Sequence, residues 1–224
     1  MVMFCSWRLW LVTFTFFNIL CCIALNFEED VKAIKGLAQL GQNRLIYTDN
    51  RNHCVRKLEA RSGDGSRSWI SSTLAGRCSE SGDVDGNKAF GRLRHPLECK
   101  HYKNSIFLTD NWSKIKQINL LDESLTTIHE SPTQRRLRFF EFGTSPKEFY
   151  VTANQGAVHV IDGKESWLIG IDAPNFNRPM QIVWLNNEIL LVADTFTHTL
   201  KTVDVNLYRV ETICNGMYAL NAHT

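Results

Sequence analysis

The residues with the most chemistry in this 224-residue chain are a few histidines, aspartates and cysteines at recurring spacings. His53 and His198 each follow an aspartate, Asp49 and Asp194, by the same short interval, and Asp110 occupies a third setting of that kind. Imidazoles and carboxylates in such positions are capable of binding zinc or calcium or of moving protons. Recurrence in register favours a plainer role, in which the imidazole bonds a neighbouring turn and the carboxylate accepts backbone N–H groups. No HExxH, HxH, Gly-x-Ser-x-Gly, P-loop or dinucleotide fingerprint is present. The stretch Ser81-Gly-Asp-Val-Asp-Gly86 glances at a calcium loop, but Ser81 and Arg92 hold the first and twelfth places, where a carboxylate is needed. We therefore expect no catalytic residue, no metal ligand and no cofactor. Asn111-Trp112-Ser113 is an N-glycosylation sequon on an expected turn.

Charge is nearly balanced at +2, and apolar residues make up 44%, so neither disorder nor general nucleic-acid or membrane binding is implied. Basic residues gather locally at Arg51, Arg56, Lys57 and Arg61, and again at Arg135, Arg136 and Arg138. Solvated strand faces are the expected reading of these runs. An anionic partner such as a sulfated glycan is the alternative.

The N-terminus carries one basic residue, Arg8, then an uncharged apolar run from Leu9 to Leu25, with Cys22 and Ala24 as small residues near its end. That order describes a secretory signal peptide over residues 1–24. An uncleaved signal anchor is the alternative, since about 17 apolar residues just reach across a bilayer. Either way the rest of the chain is expected in the secretory lumen or outside the cell. Cys54, Cys78, Cys99 and Cys214 then remain in an oxidising compartment, where four thiols permit three two-disulfide connectivities.

The elements that hold these residues repeat. Arg44–Asn50, Ser105–Asn111, Glu148–Asn154 and Glu188–Thr195 are short β-branched and aromatic runs ending in a small or polar turn, as buried strands do. An alternating run follows each: Val55–Leu58, Ile115–Leu120, Ala157–Ile161 and Leu200–Val205. Ser72–Ala75, Leu125–Ile128, Trp167–Ile169 and Val210–Ile213 close the units. His95–Cys99, Arg138–Phe142 and Arg178–Val183 precede the buried strands as innermost pieces, whereas Val31–Leu40 is ambiguous between strand and helical turn. Corresponding positions Asp49, Asp110, Ala153 and Asp194 lie 61, 43 and 41 residues apart, the long first interval holding the hairpin 62–66 and the loop 76–91. Four strands per unit at a spacing of about 40–45 residues predict an all-β propeller of four-stranded antiparallel blades. About four blades are present, in a small or incomplete ring. The expected divisions are the signal at 1–24, a lead-in with a possible first strand at 25–43, blades over 44–216 and a tail at 217–224.

Leu45-Ile-Tyr-Thr-Asp-Asn-Arg-Asn-His-Cys-Val-Arg-Lys-Leu58 resembles the NHL repeat, and Ser72-Thr-Leu-Ala-Gly76 with Gly82–Gly86, Phe90 and Pro96 is similar to that family's blade-to-blade connection. The likeness is strong over 44–120 and weakest in the third unit, at Ala153 and Gly156. In similar extracellular chains a cysteine follows the Asn-His turn and another follows Leu-Ala-Gly; the resemblance thus implies a Cys54–Cys78 disulfide. Cys99 falls in an inner strand and Cys214 in an outer one, so they are expected as separate thiols.

The expected function is a secreted scaffold that binds a protein, a peptide or an anionic glycan, with no nucleic acid and no stable membrane insertion once the signal is removed. Turns supply the binding surface of such folds, here Asn50, Arg51, His53, Asn111, Trp112, Lys114, Thr195 and His198. The alternative is a metal-dependent propeller enzyme, such as the peptide-amidating lyases or calcium-dependent hydrolases that the resemblance brings with it. An open ring implies self-association.

Overall fold

The computed structural model describes residues 31–63, 66–131, 136–145, 148–153, 157–162, 165–169 and 176–215. The expected signal segment, Gly156 and the tail at 217–224 lie outside them. The described chain forms four four-stranded sheets, each antiparallel and wound in simple chain order. The first contains β1 (Ile34–Gly41), β2 (Arg44–Asp49), β3 (Cys54–Gly63) and β4 (Ser66–Gly76). The second contains β5 (Cys99–Tyr102), β6 (Ser105–Asp110), β7 (Lys114–Asn119) and β8 (Leu125–Glu130). In the third are β9 (Leu137–Phe142), β10 (Glu148–Ala153), β11 (Ala157–Asp162) and β12 (Glu165–Ile169). The fourth holds β13 (Pro179–Trp184), β14 (Ile189–Asp194), β15 (Thr199–Asp204) and β16 (Arg209–Asn215). This is a β-propeller, and among the described residues its one helical element is the 3-10 turn Asn50–Asn52.

The ambiguous lead-in resolves as a strand. β1 approaches the second blade so closely that a Cβ on Gly36 would lie 2.5 Å from the Leu97 carbonyl oxygen, so only glycine fits there. The innermost strand expected at His95–Cys99 begins instead at Cys99. Its predecessors turn the chain: His95 has φ 59° and Pro96 has no N–H to give a ladder.

Both faces of an interior blade are apolar because each packs on a neighbour. Ile46, Val55 and Leu74 of the first blade join Leu93, Ile106 and Leu108 of the second in one core cluster. Phe107 and Ile115 carry the second blade onto Leu137, Phe140 and Phe149 of the third. Tyr150 and Val158 then meet Ile182, Leu190 and Val192 of the fourth. Among the described residues no such cluster joins the fourth blade to the first.

A hydroxyl that repeats with the blades reinforces the three interfaces. Thr48 accepts from the Gly36 N–H and donates to the Leu97 carbonyl of the next blade (both 2.7 Å). Thr109 accepts from Glu98 N–H and donates to Arg138 O (2.8 Å). Thr152 accepts from Phe139 N–H and donates to Met180 O (2.8 Å). The fourth blade has Ala193 at this place. Its equivalent face is also more open: Leu200 is 37% exposed, whereas its counterparts Val55, Ile115 and Val158 are fully buried. Of the two expected ring forms, the described residues therefore make an arc of four blades.

Cys54 and Cys78 are bonded, with Cα atoms 5.1 Å apart. The bridge ties β3 to the chain leaving its own sheet. Beside it Gly76 adopts φ 77°, and a Cβ there would meet the His53 carbonyl oxygen at 2.7 Å. Cys99 is a buried free thiol and Cys214 an exposed one.

Candidate functional site

Each blade places at one end the turn after its second strand and the lead-in to its innermost strand, and the first, second and fourth put a buried carboxylate between them, where the third has Ala153. Asp49 accepts from the backbone N–H groups of Lys32 and Ala33 (both 3.1 Å), Asp110 from that of Arg94 (2.9 and 3.1 Å), and Asp194 from that of Asn177 (2.7 Å). These aspartates therefore anchor the lead-in of their own blade, and Asn52 and Thr197 of the adjoining turns also donate to Asp49 and Asp194. Left-handed residues shape the turns: His53 (φ 58°), Asn111 (50°), Trp112 (61°) and His198 (54°).

Most of the negative charge beneath this end is cancelled internally. Arg56 approaches Asp49 at 3.4 Å, and Lys201 meets Asp194 at 2.6 Å, both pairs almost wholly buried. In the second blade the equivalent Lys116 turns to Asp83 (2.9 Å) and Asp85 (2.8 Å) instead. Asp110 is left with the backbone N–H groups of Arg94 and Asn111, and burial pushes its carboxyl up to about 7. The supposed calcium-like loop is thereby explained. Burial alone would raise the Asp83 and Asp85 carboxyls, but lysine hydrogen bonds hold both below their ordinary range and pin the loop to β7. Arg56 and Arg138, expected on solvated strand faces, are both buried; the ion pair to Asp49 accounts for the first.

The positive charge at the same end is not cancelled. Lys32, Arg94, Arg136 and Arg178 precede the four innermost strands and are exposed. Among the described residues none of the four makes an ion pair. The turns hold the neighbouring cations by aromatic contact. His53 lies edge-on to His95 at 4.7 Å and accepts from its backbone N–H at 3.3 Å. Burial, then the charges of His95, Lys32 and Arg94, hold the His53 imidazole below its ordinary range. Trp112 faces the guanidinium carbons of Arg136 (6.0 Å) and Arg138 (5.6 Å), and Phe196 faces Arg178 (4.6 Å).

The turn residues singled out in the sequence divide into two groups. Arg51, Thr195 and His198 are exposed, and His53, Asn111 and Trp112 half-buried, all at this end. Asn50 is turned inward, its amide donating to Pro96 O at 2.9 Å. Lys114 is committed to Asp83 (2.6 Å) and Glu130 (3.2 Å). Sequence reasoning missed Lys32, Arg94, Arg178 and Phe196. Aligning the units on the aspartate would have put a cation before every innermost strand.

A second concavity, of about 360 Å³, lies between β1, β5 and β9 and is lined by Glu98, Lys100, His101 and Glu141. Lys100 and Glu141 pair across it. Burial pushes the Glu98 carboxyl up to about 7. No group of three or more His, Cys, Asp or Glu suited to a metal ion occurs among the described residues.

No family model and no curated protein matches the chain. Solved structures do. A streptogramin B lyase structure superposes with a TM-score of 0.62 at 10% identity, covering 87% of this chain and 59% of that one. A structure of a nidogen/laminin complex gives 0.59 at 13% identity, over 84% and 65%. The WD40 β-propeller domain of Doa1 gives 0.52 at 7% identity, over 85% and 71%. This chain spans less than two thirds of the first two, and at these identities the likeness is one of fold.

Proposed function

We propose that this protein is an extracellular recognition scaffold of NHL type, without catalytic activity, that takes an anionic macromolecule on the cationic end of its blades. One observation carries the reading: buried carboxylates at this end are paired or pushed toward neutrality, while the four exposed cations above them have no carboxylate partner among the described residues. Such a surface attracts and orients anions over the distance salt allows, about 8 Å at physiological ionic strength. The apolar N-terminal run and the Cys54–Cys78 bridge support an oxidising compartment. The left-handed His53 of the Asn-His turn supports the NHL type.

The expected result is retention of the purified chain on immobilised heparin and on poly-glutamate, with affinity falling steeply as salt rises. Arg94→Gln/Arg136→Gln/Arg178→Gln together should weaken both by tenfold or more and flatten the salt dependence. Arg209→Gln, on the outermost strand of the fourth blade, should change neither. Passage of the folded wild-type chain through both matrices at physiological salt would sink the proposal.

A further inference from the structure

Resting on that reading, we infer that Asn111 carries an N-linked oligosaccharide that stands between Arg94 and Arg136 and limits anion access to the cationic end. Asn111-Trp112-Ser113 is the one Asn-x-Ser/Thr sequence of the chain. The folded turn accommodates a sugar there. The Asn111 backbone N–H donates to the Arg94 carbonyl at 2.7 Å, but the side-chain amide makes no hydrogen bond among the described residues. Asn50 is its counterpart in the first blade, with the matching backbone bond to the Ala33 carbonyl at 2.8 Å. That asparagine is buried, and its amide donates to the Pro96 carbonyl of the next blade at 2.9 Å. A sugar on Asn50 would break an interface, whereas one on the half-buried Asn111 displaces no bond.

Backbone bonds fix where the sugar stands. On one side Asn111 is bonded to Arg94, in the lead-in of its own blade. On the other, the Trp112 carbonyl accepts from the Leu137 N–H at 2.6 Å, and the Trp112 ring lies 6.0 Å from the guanidinium carbon of Arg136. The modified side chain thus rises between two of the four exposed cations. An oligosaccharide is bulky and hydrated, and in that place it interrupts the path along which a polyanion touches consecutive cations. Lys32 and Arg178 belong to the first and fourth blades, so binding is weakened and not abolished. The modification itself is a group transfer in the secretory lumen from a lipid-linked pyrophosphate oligosaccharide. The Asn111 amide nitrogen forms a bond to the anomeric carbon, the bond from that carbon to the pyrophosphate oxygen breaks, and the amide gives up one proton.

The test uses the full chain secreted from a glycosylating cell, as wild type, Ser113→Ala and Ser113→Thr. Asn111 itself stays, because its φ of 50° suits asparagine better than most residues bearing a Cβ. The Ser113 hydroxyl makes no hydrogen bond among the described residues, so both variants should keep the wild-type urea transition. Wild type and Ser113→Thr should each lose the mass of one oligosaccharide to an endoglycosidase, and Ser113→Ala none. Trimming to the first sugar should tighten binding of a heparin-derived oligosaccharide about fivefold in the two modified chains. Ser113→Ala should bind that tightly from the start. An unmodified wild-type chain would overturn the inference and leave the broader reading standing. Equal affinity before and after trimming would do the same. Failure of folded Ser113→Ala to bind the oligosaccharide at all would remove both.

Discussion

Lys201→Met should destabilise the folded chain by about 3–5 kcal/mol, the range for a buried ion pair broken by removing one partner. Lys201 Nζ lies 2.6 Å from Asp194 Oδ2, and the two side chains are 4% and 0% exposed. The ammonium also sits 5.0 Å from the Phe176 ring, inside the core that binds the fourth blade to the third. Methionine fills much of the same volume, so the loss measures the charge left behind and not a cavity. Asp194 keeps the Asn177 N–H and the Thr197 hydroxyl, which satisfy a carboxylate geometrically but do not neutralise it. Adding Asp194→Leu to Lys201→Met should recover part of the loss, because removing both charges removes the uncompensated one. Urea unfolding of the two variants beside wild type makes the comparison. If the single variant is as stable as wild type, Asp194 and Lys201 are not coupled.

The second large effect is one of pH. The Asp110 carboxyl is fully buried and is pushed up to about 7, whereas an unfolded aspartate titrates near 4. Between those values the native chain holds a proton that the unfolded chain has released. The stability this contributes is complete below about pH 4 and is lost as pH rises through about 7. Its size is on the order of 2–4 kcal/mol, from about three pKa units partly offset by solvent and local relaxation. Urea midpoints should therefore fall between pH 5 and pH 8.5. Glu98, also raised to about 7, adds to the same trend. Asp110→Asn should flatten the profile while leaving the Glu98 part. An identical profile in wild type and variant would show that Asp110 contributes nothing to the pH dependence and overturn this account.

These two aspartates illustrate how far the sequence could be read. Strand runs ending at Asp49, Asp110, Ala153 and Asp194 were visible because a buried strand must be apolar and must end in a turn, and four such units at propeller spacing led directly to the observed blades. Their partners were less visible. Arg56, Lys116 and Lys201 stand at equivalent places in the third strands, but a lone basic residue in an alternating strand reads as solvent-facing. Only the folded chain brings these side chains inward, onto Asp49, onto Asp83 and Asp85, and onto Asp194. The threonine bridges escaped notice for a similar reason, since Thr suits a strand by propensity and its hydroxyl bonds a carbonyl far away in sequence. The cationic end was half legible. Arg136 and Arg138 stood out as a run, whereas Lys32, Arg94 and Arg178 are separated along the chain and converge only through the radial order of the blades.

The missing hydroxyl at Ala193 bears on how the molecule comes apart. In a stack where each layer touches only its neighbours, stability is shared pairwise, and a layer with one neighbour is held by half as many interfaces as an interior one. Among the described residues the fourth blade packs on the third alone and Leu200 on its other face is partly exposed, so it is a natural starting point for fraying. Amide protons of β14 and β15 then exchange through local opening, while those of β6 and β10 wait for the whole core to dissolve.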